Sequence, residues 1–261
     1  MKKIRFYGFI TIAFFSILSG GCASENGRQE TSASPSGVLI AETNAKADAL
    51  FRERTDVGKL REAVDLLSQI RNQGSRNFGT EWRFSKYNYF LGKQTDDKKE
   101  SEKVFENGAQ SGKIAARLEP DKPDGYFWSG ANLGEQAKRA PFTKGLTSIG
   151  EIQTDMNKVI EIEPDYQGAS AFDGLAQIEL ATRLTGGKPE KAVEYLEKAL
   201  QLEKNNSNIR LHLAEAYLKA NRNAEAKKQL EYVLSMKPDP DFLPEYKENN
   251  EAAKKLLDTK F

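Results

Sequence analysis

The sequence predicts an all-α fold: a helical solenoid of about five helix pairs closed by a C-terminal capping helix. Three observations lead there. Small and aliphatic residues recur at spacings of three and four, which lays them along one face of a helix. "EKAVEYLEKALQLEKN" (Glu190 to Asn205) and "AEAKKQLEYVLSMKPD" (Ala224 to Asp239) superpose on a shift of 34 residues, so a unit of two helices and two turns is repeated. Hydrophobic residues make up 38% of the chain and charged residues 30%, which is lean for one compact core but suits stacked amphipathic helices with much exposed surface.

The first element is a leader. Lys2, Lys3 and Arg5 precede an almost wholly apolar run of 13 residues, Phe6 to Leu18, the pattern of a secretory signal. As a helix that run would be about 20 Å long against a hydrocarbon core of about 30 Å, too short for a comfortable span. Ser19, Gly20 and Gly21 lead to Cys22, the sole cysteine, which cannot close an intramolecular disulfide. "LSGGC" resembles the bacterial lipoprotein signal, in which the cysteine is lipidated and cleavage falls just before it. Leu18 stands four residues before Cys22, where that pattern usually has three. The resemblance implies a signal peptide over 1–21, lipidation at Cys22, and a membrane anchor made of acyl chains, each buried methylene contributing about 0.8 kcal/mol. Ala23 and Ser24 follow, with no Asp to suggest inner-membrane retention. The expected location is therefore the periplasmic side of a bacterial membrane, the outer in preference to the inner. The next stretch, "ASENGRQETSASPSG", has no aromatic or large aliphatic side chain to offset the entropy of ordering. Residues 22–37 are expected to be a lipidated flexible tether, and 38–261 the helical-repeat domain.

Within that domain, Ala63, Leu67 and Ile70, at offsets of four and three, mark a first pair over about 38–74. Trp82 and Tyr89, seven apart, fall in the first helix of a second pair, 76–119, which "GKIAARLEP" ends at Pro120. The third, 123–163, ends at Pro164; the fourth, 166–204, has Lys204 in that place; the fifth, 207–238, ends at Pro238. The intervals of 44, 40 and 34 residues mean longer helices or loops in the early units. "PEYKENNEAAKKLLDTKF" reads as the cap, because Pro244 suits a first helical position and Ala252, Ala253, Leu256 and Leu257 form a narrow apolar stripe. Eleven helices result. Ala226, Leu230, Val233 and Pro238, with Tyr217 in the preceding helix, resemble the tetratricopeptide repeat (TPR), where a small residue opens the second helix and larger apolar residues follow it. The resemblance implies a surface for protein–protein interaction.

"TGGKPEKA", Thr185 to Ala192, is not a phosphate loop: Thr182 stands where the leading glycine is needed and Pro189 where a Ser or Thr must follow the lysine. Gly186 and Gly187 are expected to end a long helix and Pro189 to begin the next. Three stretches carry a narrower resemblance: "YFWSGANLGE" (Tyr126 to Glu135), "EPDYQGASAFDGLAQIELATRLTGGKPEKAVEYLEKAL" (Glu163 to Leu200) and "PEYKENNEAAKKLL". They are similar to the T component associated with tripartite ATP-independent periplasmic (TRAP) transporters, from which the chain departs at Lys188. That likeness implies an all-helical periplasmic lipoprotein that partners a solute-binding protein and can hold a ligand in its concave face or channel. A general periplasmic scaffold built from the same repeats, with an envelope protein as partner, is the other reading.

Charge and residue types narrow the chemistry. Losing Lys2, Lys3 and Arg5 with the leader takes the formal charge from +1 to −2, so no basic stripe points to nucleic acid. One His and one Cys supply neither a metal site nor a nucleophile with its base, so neither cofactor, metal nor catalytic residue is assigned. His212 is expected to be structural or at the surface, and Asn205, Asn206 and Ser207 a turn. With Trp82 and Trp128 setting the registers of the first helices, the concave positions of the repeat fall on Arg83, Tyr87, Phe90, Tyr126, Leu133 and Gln136. The aromatic side chains suit an apolar ligand or an extended peptide, and Arg83 suits a carboxylate.

Overall fold

A computed structural model describes residues 36–140, 143 and 145–261. The leader, Cys22 and all but the end of the expected tether lie outside the described residues. Among the described residues the chain forms eleven α-helices and no strand. They are α1 (Gly37–Arg52), α2 (Val57–Ile70), α3 (Phe78–Gln94), α4 (Lys98–Leu118), α5 (Pro123–Arg139), α6 (Leu146–Ile162), α7 (Tyr166–Ala181), α8 (Pro189–Leu202), α9 (Ser207–Lys219), α10 (Asn223–Ser235) and α11 (Leu243–Lys260). The five pairs and the capping helix match the expected solenoid.

Local chemistry sets where these helices begin. Asp56, Asn77, Asp97 and Asn206 each stand just before a helix and accept hydrogen bonds from its first free N–H groups, at 2.7 to 3.3 Å. Pro123 and Pro189 start α5 and α8, where a missing N–H costs nothing. Two starts or ends depart from expectation. Helix α7 stops at Ala181, where Thr182 Oγ1 donates to the Ile178 carbonyl at 2.7 Å; a 3-10 turn, Arg183–Thr185, intervenes before Gly186, whose φ of 122° favours glycine. At its beginning, Gln167, Gly168 and Ala169 all lie in the left-handed region, with φ of 50°, 65° and 62°. Asn206 Nδ2 donates to the Gly168 carbonyl at 2.9 Å and holds this turn.

Each helix packs on its chain neighbours, α3, α5, α7 and α9 also touch in succession, and α11 covers α9 and α10. The apolar interior divides into three clusters along the chain. The first joins Ala47, Leu60, Ala63, Leu67, Phe84, Tyr87 and Leu91. The second joins Ala109, Phe127, Trp128, Leu133, Met156, Val159 and Leu175. The third joins Ala192, Leu196, Leu213, Tyr217, Ala226, Leu230, Val233 and Ala253. Such division is what stacking predicts, since each pair buries its apolar face only against its neighbours. Polar links cross the seams: the buried Glu81 carboxylate takes Arg71 Nη2 and Arg76 Nη1, both at 2.9 Å, tying the α2–α3 turn to α3. A longer link joins the first pair to the cap, where the Arg54 guanidinium donates to Glu245 at 2.9 and 2.8 Å across 191 residues of sequence.

Candidate functional site

The fold gathers aromatic and cationic side chains of α1, α3 and α5 into one cluster. The Phe51 ring stacks on Tyr87 with centroids 4.4 Å apart and meets Phe90 edge-on at 5.1 Å. Phe90 and Tyr89 in turn approach Trp128, at 6.1 and 5.7 Å. Over these faces lies Lys86, its Nζ 4.8 Å from the Phe51 centroid and 5.4 Å from that of Trp128. The Arg54 guanidinium sits 5.3 Å from Phe51 and 5.7 Å from Phe90, and its link to Glu245 brings α11 to the same place.

Electrostatics single out Lys86. Burial, then repulsion from Arg54, push its ammonium down to about 8, and no carboxylate among the described residues pairs with it. A half-buried cation over aromatic faces, repelled by Arg54 and Arg83 and only partly offset by the charges of Asp48 and Asp124, is suited to receive an anionic group. Tyr89 is similar in kind: burial and then the nearby Glu135 and Asp173 charges raise its hydroxyl above the ordinary tyrosine range.

The six residues expected from sequence do not share one surface. Arg83 donates from Nε to both Asp48 oxygens, at 2.8 and 3.1 Å, and from Nη1 to the Gly79 carbonyl at 3.0 Å. Tyr87 is buried and donates to Asp48 as well; burial and that contact raise its hydroxyl. Phe90 belongs to the aromatic cluster. Tyr126 instead lines a cleft bounded by α4 and α6. Leu133 is buried in the second apolar cluster, and Gln136, also buried, lines a 30 Å³ pocket with Phe105 and Arg139. Sequence reasoning missed Phe51, Arg54, Lys86 and Tyr89. The last two were within reach, since Trp82, Lys86, Tyr89 and Lys93 follow one another at offsets of four, three and four along α3.

His212, on α9, has a partner that one sequence could not reveal. Its Nδ1 lies 2.8 Å from Asp173 Oδ1 on α7, whose other oxygen accepts from Asn208 Nδ2 at 3.0 Å. Burial opposes protonation of the imidazole, but the charge and hydrogen bond of Asp173 outweigh it and the pKa is raised. Among the described residues no group of three His, Cys, Asp or Glu is placed to hold a metal ion, and no helix is long and apolar enough to cross a membrane.

A family model described as "Regulator of microtubule dynamics protein 1-3" matches residues 43–260. No curated protein matches the chain. Among solved structures, a thermophilic TPR protein in Thermus thermophilus is similar with a TM-score of 0.60 and 19% identity, over 83% of this chain and 100% of that one. A double mutant of MamA RS-1 is similar at 0.50 and 13%, over 86% and 99%. At these identities the likeness is one of fold, a TPR-type solenoid.

Proposed function

Because this chain belongs to the family described as regulator of microtubule dynamics protein 1-3, and has a TPR-type fold, we propose that it is a membrane-anchored periplasmic scaffold that grips an envelope protein partner. The microtubule activity named in that description is a property of the proteins it was written for. Here the lipoprotein-like start, with Cys22 after "LSGG", favours the envelope and an acyl anchor. The observation that carries the binding role is the aromatic cluster of Phe51, Tyr89, Phe90 and Trp128 with the unpaired Lys86 ammonium over it. The half-buried rings of Phe51, Tyr89 and Phe90, seated on the buried Trp128, offer apolar area together with a cation that is stabilised when a partner brings a carboxylate. Binding, with no catalytic step, is the role proposed.

The test uses the full chain, tagged and purified from membranes in mild detergent, with a photo-reactive residue in place of Tyr89 or of the exposed Lys198 on α8. A protein captured from the Tyr89 position, and lost with Lys86→Glu, is the expected result. Capture from Lys198 alone overturns the assignment of this cluster. Mass spectrometry of the mature amino terminus checks the anchor: diacylglyceryl on Cys22 is expected, and an unmodified thiol there removes it. A second reading, accessory T component of a TRAP transporter, is favoured by the three stretches that resemble that family. Capture of a solute-binding protein supports it over the general scaffold.

A further inference from the structure

A second cleft, of 240 Å³, is lined by Lys113, Ala116 and Arg117 of α4, Tyr126 and Ser129 of α5, and Asp155 of α6. It shares no lining residue with the aromatic cluster. Its wall depends on a close approach of α4 to α5, because a Cβ on Gly112 would stand 2.6 Å from the backbone nitrogen of Ser129. Lys113 is engaged by Glu151 at 2.5 Å. Arg117, one turn further along α4, is exposed and has no side-chain partner among the described residues.

The floor of the cleft holds uncompensated polarity. Asp155 Oδ2 and Ser129 Oγ are both buried without a hydrogen-bond partner among the described residues. Burial pushes the Asp155 carboxyl up to about 6; the nearby Ser129 hydroxyl works the other way without reaching hydrogen-bond geometry, the Glu151 charge adds to the rise, and Lys113 opposes it. A half-buried carboxylate held this way gains when a cation is brought against it. At the rim, the free guanidinium of Arg117 presents the planar fork that accepts a carboxylate. The cleft, at 240 Å³, is below the roughly 300 Å³ at which pockets for drug-sized ligands begin, which suits a small occupant.

We propose that this cleft binds a free α-amino acid as the zwitterion, its ammonium against Asp155 and its carboxylate against Arg117. Ala116 and the Tyr126 ring form the wall for a short side chain. The site is separate from the partner-binding cluster, and it stands or falls independently of the membrane anchor.

Titration calorimetry on the full chain in detergent tests this with L-alanine as probe, and with ethylamine and propionate as halves of it. L-alanine is expected to saturate, and each half to bind at least about tenfold more weakly. Asp155→Asn should weaken L-alanine by about tenfold or more, and so should Arg117→Gln, whose exposed position leaves folding intact. Affinity should also fall as the pH drops below 6, where Asp155 takes up a proton. Overturning results are an absence of saturable L-alanine binding up to about 10 mM, affinity unchanged by Arg117→Gln, or ethylamine binding as tightly as L-alanine.

Discussion

Lys86 holds its charge against its surroundings. In the unfolded chain a lysine titrates at 10.5, whereas in the fold this one is pushed down to about 8, so between those values the unfolded state binds more protons and stability rises with pH. Lys86→Met, which removes the buried charge and keeps the stem, should therefore raise the denaturant midpoint at pH 7 while weakening partner capture. His212 has the opposite sign. Its raised pKa means that the pairing with Asp173 contributes fully below about 6.5 and is lost as the pH rises through the folded-state value. As the sole histidine it gives one imidazole resonance. That resonance should titrate above the ordinary histidine value and fall with Asp173→Asn; Glu215 and Lys138, which also act on the ring, offset each other in sign. Gly168, at φ 65° with a would-be Cβ 2.9 Å from Asn206 Nδ2, should lose about 1 kcal/mol or more as Gly168→Ala, read by chemical denaturation. None of these three environments was legible in the sequence, because each is made by a second helix: Phe51 and Trp128 around Lys86, Asp173 beside His212, Asn206 against Gly168.

Helices were the legible level. Spacing of apolar residues is a property of one helix, and Ala63, Leu67, Ile70, Ala226, Leu230 and Val233 are all buried where their offsets put them. Caps are legible too, since Asp56, Asn77, Asp97 and Asn206 are residues of the N-capping type and each stands directly before a helix. The left-handed opening of α7 was not, as "DYQGAS" contains one glycine but three residues in that conformation. Arg83, Tyr126 and Gln136 scattered for a related reason. A repeat register gives the face of a helix, but which neighbour covers that face depends on loop lengths that vary among the early units. At this scale the sharpest expectation concerns the seams of the regular repeats. Leu196 and Leu230, both fully buried, should each cost about 2 to 5 kcal/mol on substitution by Ala, and denaturant curves showing under about half a kcal/mol for both would place them in solvent.

Across the whole described domain, three apolar clusters in series suggest a chain whose parts could unfold one after another, as stacked repeats do. The pairing of Arg54 with Glu245 works against that independence by coupling the first pair to the last helix. A double-mutant cycle with Arg54→Ala and Glu245→Ala should give a coupling of about 1 kcal/mol, modest because Glu245 remains 30% exposed. Hydrogen exchange should then quicken in α11 ahead of the other helices.

That same pairing has a consequence in time. A ribosome finishes Arg54 long before it reaches Glu245, 191 residues later. The nascent domain therefore stacks its early helices, with Phe51, Lys86 and Phe90 already in position, while the acidic fastener is still unmade. That surface is therefore complete before the final helix is delivered, and the Arg54–Glu245 pair is the contact that closes last.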